Sequence, residues 1–158
     1  AKLETLSKAF QIGSTRLFDD DPRFGLVVLS EIASRALSEA INDAGTAIGI
    51  VGTLTRLFTQ WCEPLAEEQV PSIKYERVEV PSLSINDMFD DAFTAIARDG
   101  AGAVEVAVRL QKALGALGSL DNADMQAAAA CHSQLALKRA RAAMDIDEDF
   151  QAVQSAAI

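Results

Sequence analysis

Apolar residues recur every three or four positions from Phe24 to Ile41, at Leu26, Leu29, Ile32, Ala33, Ala36, Leu37, Ala40 and Ile41. That is the period of a helix with one buried face. Asp21-Pro22 supplies its start, an aspartate positioned to cap and a proline in the first turn. Asn42-Asp43-Ala44-Gly45 interrupts the pattern, and a second helix is predicted from about Thr46 to Trp61, ended by Pro64. Its apolar face takes in Ile48, Val51, Leu54, Leu57, Phe58 and Trp61. After a polar connection from Glu67 to Ser72, the residues from Ile73 to Val80 mix charge with Ile, Tyr and Val between Pro71 and Pro81, which reads as a short strand. Its expected partner is Ala9 to Ile12.

The second half is helical throughout. Ser84 to Arg98 puts Ile85, Met88, Phe89, Ala92, Phe93 and Ile96 on one stripe, opens with Ser84 and Asp87 as a variant capping box, and stops at Gly100. A helix from about Ala103 to Leu117 carries Val104, Ala107, Leu110, Leu114 and Leu117 and ends at Gly118. Asn122 caps a long alanine-rich helix to about Met144, and Asp147 opens a last short one. The expected fold is mainly α: a helical, bundle-like single domain with a minor two-stranded β element and no internal repeat.

Composition narrows the function classes. A chain of 158 residues, 49% hydrophobic, is the size of one globular domain. The net charge of −9 and pI near 4.5 oppose phosphate backbones and anionic lipid heads overall, so nucleic acid is not an expected partner. The dense basic run Lys138, Arg139, Arg141 is flanked by acidic residues from Asp145 to Asp149. Cys62 and Cys131 stand in no metal-ligand spacing and His132 is the sole histidine, so neither a zinc site nor a disulfide framework is expected. No run reaches the roughly 18 apolar residues of a membrane span. Thr46 to Phe58 comes nearest, and it is short and carries Arg56. The chain opens on alanine, without a charged-then-apolar leader, and is expected to be a soluble piece of a larger protein.

Gly13-Ser-Thr-Arg16, Asp21-Pro-Arg-Phe-Gly-Leu26, Ile32-Ala-Ser-Arg-Ala-Leu-Ser38 and Asn42-Asp43 through Thr46-Ala47 resemble an uncharacterised family of predicted bacterial membrane proteins. Its members carry a run like DP-x-FG-L, IA-x-RALSP and NDP-x-TA in a region that follows several transmembrane helices. The resemblance is close from about Phe10 to Ala47, looser through the expected strand and the helix around Phe89, and faint beyond Gly100. Glu39 and Ala44 stand where the family pattern has prolines, and Glu31 where it has aspartate. The resemblance implies attachment to a bacterial cell membrane through segments outside this chain. It implies no activity. Unpaired cysteines favour the cytoplasmic side.

The polar residues of this run are the candidate site. Glu31, Arg35, Ser38 and Asn42 fall at i, i+4, i+7 and i+11, one polar stripe along the first helix. Asp43 and Thr46 follow at the corner, and Arg16 and Asp21 precede the helix. Arg16, Asp21, Arg35, Ser38, Asn42, Asp43 and Thr46 could thus clamp a small anionic ligand, arginine forks meeting its oxygens. The structural alternative is an exposed Glu31–Arg35 ion pair with Asp43 capping the next helix. Acidic clusters at Asp19 to Asp21, at Asp87, Asp90 and Asp91, and at Asp145, Asp147 and Asp149 read as helix starts favoured by the dipole. The last mimics a calcium loop, but Phe150 occupies its glycine position. No GxSxG, GxGxxG or GxxxxGK[ST] run occurs, so no catalytic residue, cofactor or metal site is assigned.

Three functions follow as expectations. The first is a non-catalytic ligand-sensing or scaffolding domain, with homo-oligomer formation through the alanine-rich helix. The second is an enzyme whose metal sits among Asp21, Glu31 and Asp43. The third is a purely structural module.

Overall fold

The computed structural model describes residues 13, 15–18, 21–63, 79 and 81–157. They form six helices: α1 (Pro22–Ala36), α2 (Ala44–Cys62), α3 (Ile85–Asp99), α4 (Val104–Gly118), α5 (Ala123–Ala143) and α6 (Asp147–Ser155). Four start on a side-chain cap that the sequence announces. Asp21 accepts from Phe24 N, Asp43 from Thr46 N, Ser84 from Asp87 N and Asn122 from Met125 N. Each satisfies one of the orphan donors of a first turn. The cap residues of α4 and α6, Ala103 and Ile146, make no such bond.

Packing closes the first five helices into a ring, α1 against α2, α2 against α4, α4 against α5, α5 against α3, and α3 back against α1. Inside it lie Leu54 and Phe58 of α2, Phe89, Phe93 and Ile96 of α3, Leu110, Leu114 and Leu117 of α4, and Met125 of α5, all essentially without solvent contact. The rings of Phe58, Phe89 and Phe93 meet pairwise with centroids 4.7, 5.6 and 5.2 Å apart. The spacing suits tilted and edge-on aromatic pairs. α6 packs on α4 and α5 outside the ring, setting Val153 and Phe150 on Ala107, Ala140 and Met144.

α1 and α3 run side by side in the same direction. Arg23 near the start of α1 bonds Asp91 at 2.5 Å and Asp87 at 3.3 Å, and Ser34 near its end donates to Asp99. The beginnings of both helices therefore lie at one end of the bundle. The end of α2 joins them there, because Leu57 and Trp61 face Pro22 and Met88.

Mainly α is what the described residues are, with no strand among them. The strand expected over 73–80 and its partner over 9–12 lie outside the described residues, apart from Glu79, which is in no strand. Nothing in the described fold supports the two-stranded element, since every described interface is helix on helix. One boundary also differs from expectation. The first helix was predicted to reach Ile41 and ends at Ala36. Asn42 takes a left-handed φ of 49°, and Asp43 N returns to Ala36 O at 2.8 Å, so the chain turns over residues 37–42. Asparagine is one of the few side chains that visits this region readily.

Candidate functional site

The seven candidate residues fall into two groups at opposite ends of α1. A helix of 15 residues is about 22 Å long. Asp21 caps its start, while the Asp43 N–H donates to the Ala36 carbonyl at its end, so a single pocket does not gather them.

At the start, Arg16 clamps Asp21 through both Nε, at 2.9 Å, and Nη2. The same guanidinium lies 4.8 Å above the Phe24 ring, and Phe18 stacks on that ring at 4.9 Å. Arg16, together with the Phe24 N–H, holds the Asp21 carboxyl below the usual carboxylate range. The oxygens of Asp21 are thus taken by Arg16 and by the cap.

At the other end the corner is wired internally. Ser38 Oγ donates to Arg35 O at 2.7 Å, and Asn42 N donates to Ser38 O at 2.8 Å. Asp43 accepts from Thr46 N at 3.0 Å and from Thr46 Oγ1 at 2.6 Å. These two bonds, the hydroxyl first, lower the Asp43 pKa. Because α1 stops at Ala36, Ser38 and Asn42 leave the helical stripe that was to carry them beside Glu31 and Arg35. Arg35 is exposed, and among the described residues it pairs with no carboxylate, Glu31 included. The expected i, i+4 ion pair does not form.

Carboxylate chemistry fares no better. Asp21 and Asp43 are separated by the length of α1, and Glu31 is exposed on its side. Among the described residues no three His, Cys, Asp or Glu side chains gather as a metal site. His132 is buried on α5, its ring 5.6 Å from that of Phe89 and its Nε2 3.4 Å from Asp90. Burial pushes its pKa down; the nearby Asp90 opposes this and Arg139 adds to it. Cys62 and Cys131 are free thiols, and burial raises the pKa of Cys62.

A different feature stands out at the end where α1 and α3 begin and α2 finishes. Pro22, Leu26, Leu57, Phe58, Trp61 and Met88 line an apolar groove of about 120 Å³. Leu57 is 41% exposed and Trp61 47%. The pattern of α2 contained this signal. Its apolar positions cover about half the helix circumference, more than one core interface uses, so the edge of the arc remains outside.

No curated protein and no solved structure matches the chain. Among the described residues no helix is long and apolar enough to cross a membrane. The family described as Predicted membrane protein (DUF2254) matches residues 1–116, from the first residue through most of α4. The chain belongs to this family of predicted membrane proteins, a domain of unknown function.

Proposed function

We propose that the chain is a single, non-catalytic scaffolding domain of a predicted membrane protein, with the apolar groove as its docking surface for another polypeptide segment. The observation that carries this reading is the groove itself: Leu57 and Trp61 half exposed beside Pro22 and Met88, in a family associated with membranes. Exposed tryptophan and leucine grouped around a concavity characterise interaction sites rather than ordinary surface. Membership of the family supports a setting in which apolar segments are at hand.

Photo-cross-linking in membranes of cells expressing the protein tests it. A photoreactive residue at Leu57 should join the chain to a second segment identifiable by mass spectrometry, and one at exposed Glu105 should not. A product joining two copies of the chain would assign the partner as a homo-oligomer. If Leu57 yields only the water-quenched product, the groove docks nothing and the reading fails.

Ligand sensing at the α1–α2 corner is the second reading. Arg35 favours it, being exposed and free of a carboxylate among the described residues. The corner's other polar groups are engaged in local bonds. A thermal-shift screen with small organic anions, repeated with Arg35→Ala, decides between the two. A ligand at about 100 times its dissociation constant adds about 2.7 kcal/mol. A flat screen removes this reading and leaves the first untouched.

A further inference from the structure

Where α2 meets α4, the floor of their shared surface is Gly52, which is buried. Arg109 of α4 occupies the space that a side chain there would take. Its Nη2 lies 3.3 Å from where a β-carbon of Gly52 would stand, and Arg56 Nη1 lies 3.9 Å from the same point. Arg56 is one turn beyond Gly52 on α2, so the two guanidinium groups converge on one spot from two helices. Both residues are exposed. Gly49, one turn earlier, has open space above it, so the approach along α2 is unobstructed. Lys112, exposed and three residues after Arg109, adds a further positive charge on the same side of α4.

Two exposed like charges this close repel weakly, by about 1 kcal/mol at 4 Å in water, and an anion held between them would remove that cost. Elsewhere in the fold Arg16, Arg23, Arg98 and Arg141 each hold an aspartate. Among the described residues Arg56 and Arg109 hold none. Arg56 Nη2 bonds the Thr53 hydroxyl at 2.9 Å, and Glu105, one turn before Arg109, does not reach it. Arg35 and Arg139 also hold no carboxylate among the described residues; what sets Arg56 and Arg109 apart is that their guanidinium groups approach one point.

We propose that Arg56 and Arg109, converging above Gly52, bind a phosphate group, with Lys112 as an outlying charge. Each planar fork offers two parallel N–H donors. Each anionic oxygen of a phosphate has lone pairs for more than one donor, and their tetrahedral arrangement lets forks arriving from two helices reach separate oxygens. The bound anion would turn a repulsive pair into two charge-assisted ones. The group could belong to an anionic lipid headgroup or to a free phosphate compound, and the site recognises what these share. This proposal does not depend on the apolar groove.

The test follows the arginine Nε–Hε resonances of this chain by NMR while pyrophosphate is added at constant ionic strength against chloride. In parallel, co-sedimentation uses phosphatidylcholine vesicles with and without phosphatidylglycerol. Saturable shifts of Arg56 and Arg109 with pyrophosphate would support the site, and with no vesicle binding they would assign a free phosphate compound. Sedimentation with the phosphatidylglycerol vesicles alone would assign a lipid headgroup, and each of Arg56→Gln and Arg109→Gln should weaken it about fivefold. Both positions are exposed, so these variants should keep their melting temperatures. A chain that responds to neither probe, or a double variant R56Q/R109Q that binds as the parent does, would overturn the proposal.

Discussion

Gln111 and Ser133 form a buried polar lock between α4 and α5, and breaking it from either side should cost more than removing it altogether. Both side chains are fully buried. Gln111 Nε2 donates to Ser133 O at 3.0 Å, and Ser133 Oγ donates to Gln111 Oε1 at 2.7 Å. Ser133→Ala leaves the Gln111 carbonyl oxygen desolvated and without its donor, a loss of about 1–3 kcal/mol. Gln111→Leu, close in volume, removes the acceptor of the Ser133 hydroxyl and should cost about 1–2 kcal/mol, because that hydroxyl can turn to a carbonyl of its own helix. The double variant Gln111→Leu with Ser133→Ala replaces both partners by apolar groups. It should be more stable than either single variant, giving a coupling of at least about 1 kcal/mol. Urea unfolding of the four proteins measures this, with the slope of each transition confirming a common unfolded state. In a thermal scan, each kcal/mol should appear as a shift of about 2–4 °C. Strictly additive single losses would refute the argument, because they would mean that neither polar group depends on the other for its partner.

Further predictions follow from single sites. Ser30 Oγ is buried on α1 without a hydrogen-bond partner among the described residues, so Ser30→Ala should stabilise the fold by up to about 1 kcal/mol, and a melting temperature below the parent's would contradict this. A β-carbon at Gly100 would stand 2.7 Å from Val106 Cγ1 and 2.9 Å from Ile96 O, so Gly100→Ala should destabilise by about 1–3 kcal/mol in urea melts. Asn42 holds φ at 49°, so Asn42→Gly should be nearly neutral while Asn42→Ala loses about 1 kcal/mol; equal losses in the two would point away from backbone conformation. Burial lowers the pKa of His132 below its ordinary value, so the folded state takes up its proton less readily than the unfolded chain. Stability should therefore be complete above about pH 6.5 and decline as pH falls below it, with His132→Gln flattening that decline in melts between pH 5 and pH 8.

What the sequence determined by itself is the set of helices and their starts. Caps are local events. Asp21, Asp43, Ser84 and Asn122 each reach a backbone N–H three residues on, so residue type and spacing suffice to place them. The stripe of Met88, Phe89, Ala92, Phe93 and Ile96 likewise predicted the buried face of α3, because period and burial are properties of one helix. The family was legible for the same reason, being carried by a contiguous run. The end of α1 was not so visible. Leu37, Ala40 and Ile41 keep the helical period, but the positive φ of Asn42 and the return of Asp43 N to Ala36 O turn the chain earlier. That turn split the candidate residues between the two ends of α1. Only the tertiary structure decided which apolar residues stay outside. Leu57 and Trp61 look like Leu54 and Phe58 in the sequence, and the difference between them is the arc that α1, α3 and α4 leave uncovered. The same holds for Arg56 and Arg109, which lie far apart in the chain and approach one point above Gly52, where the Arg109 guanidinium comes within 3.3 Å of the position a β-carbon would take.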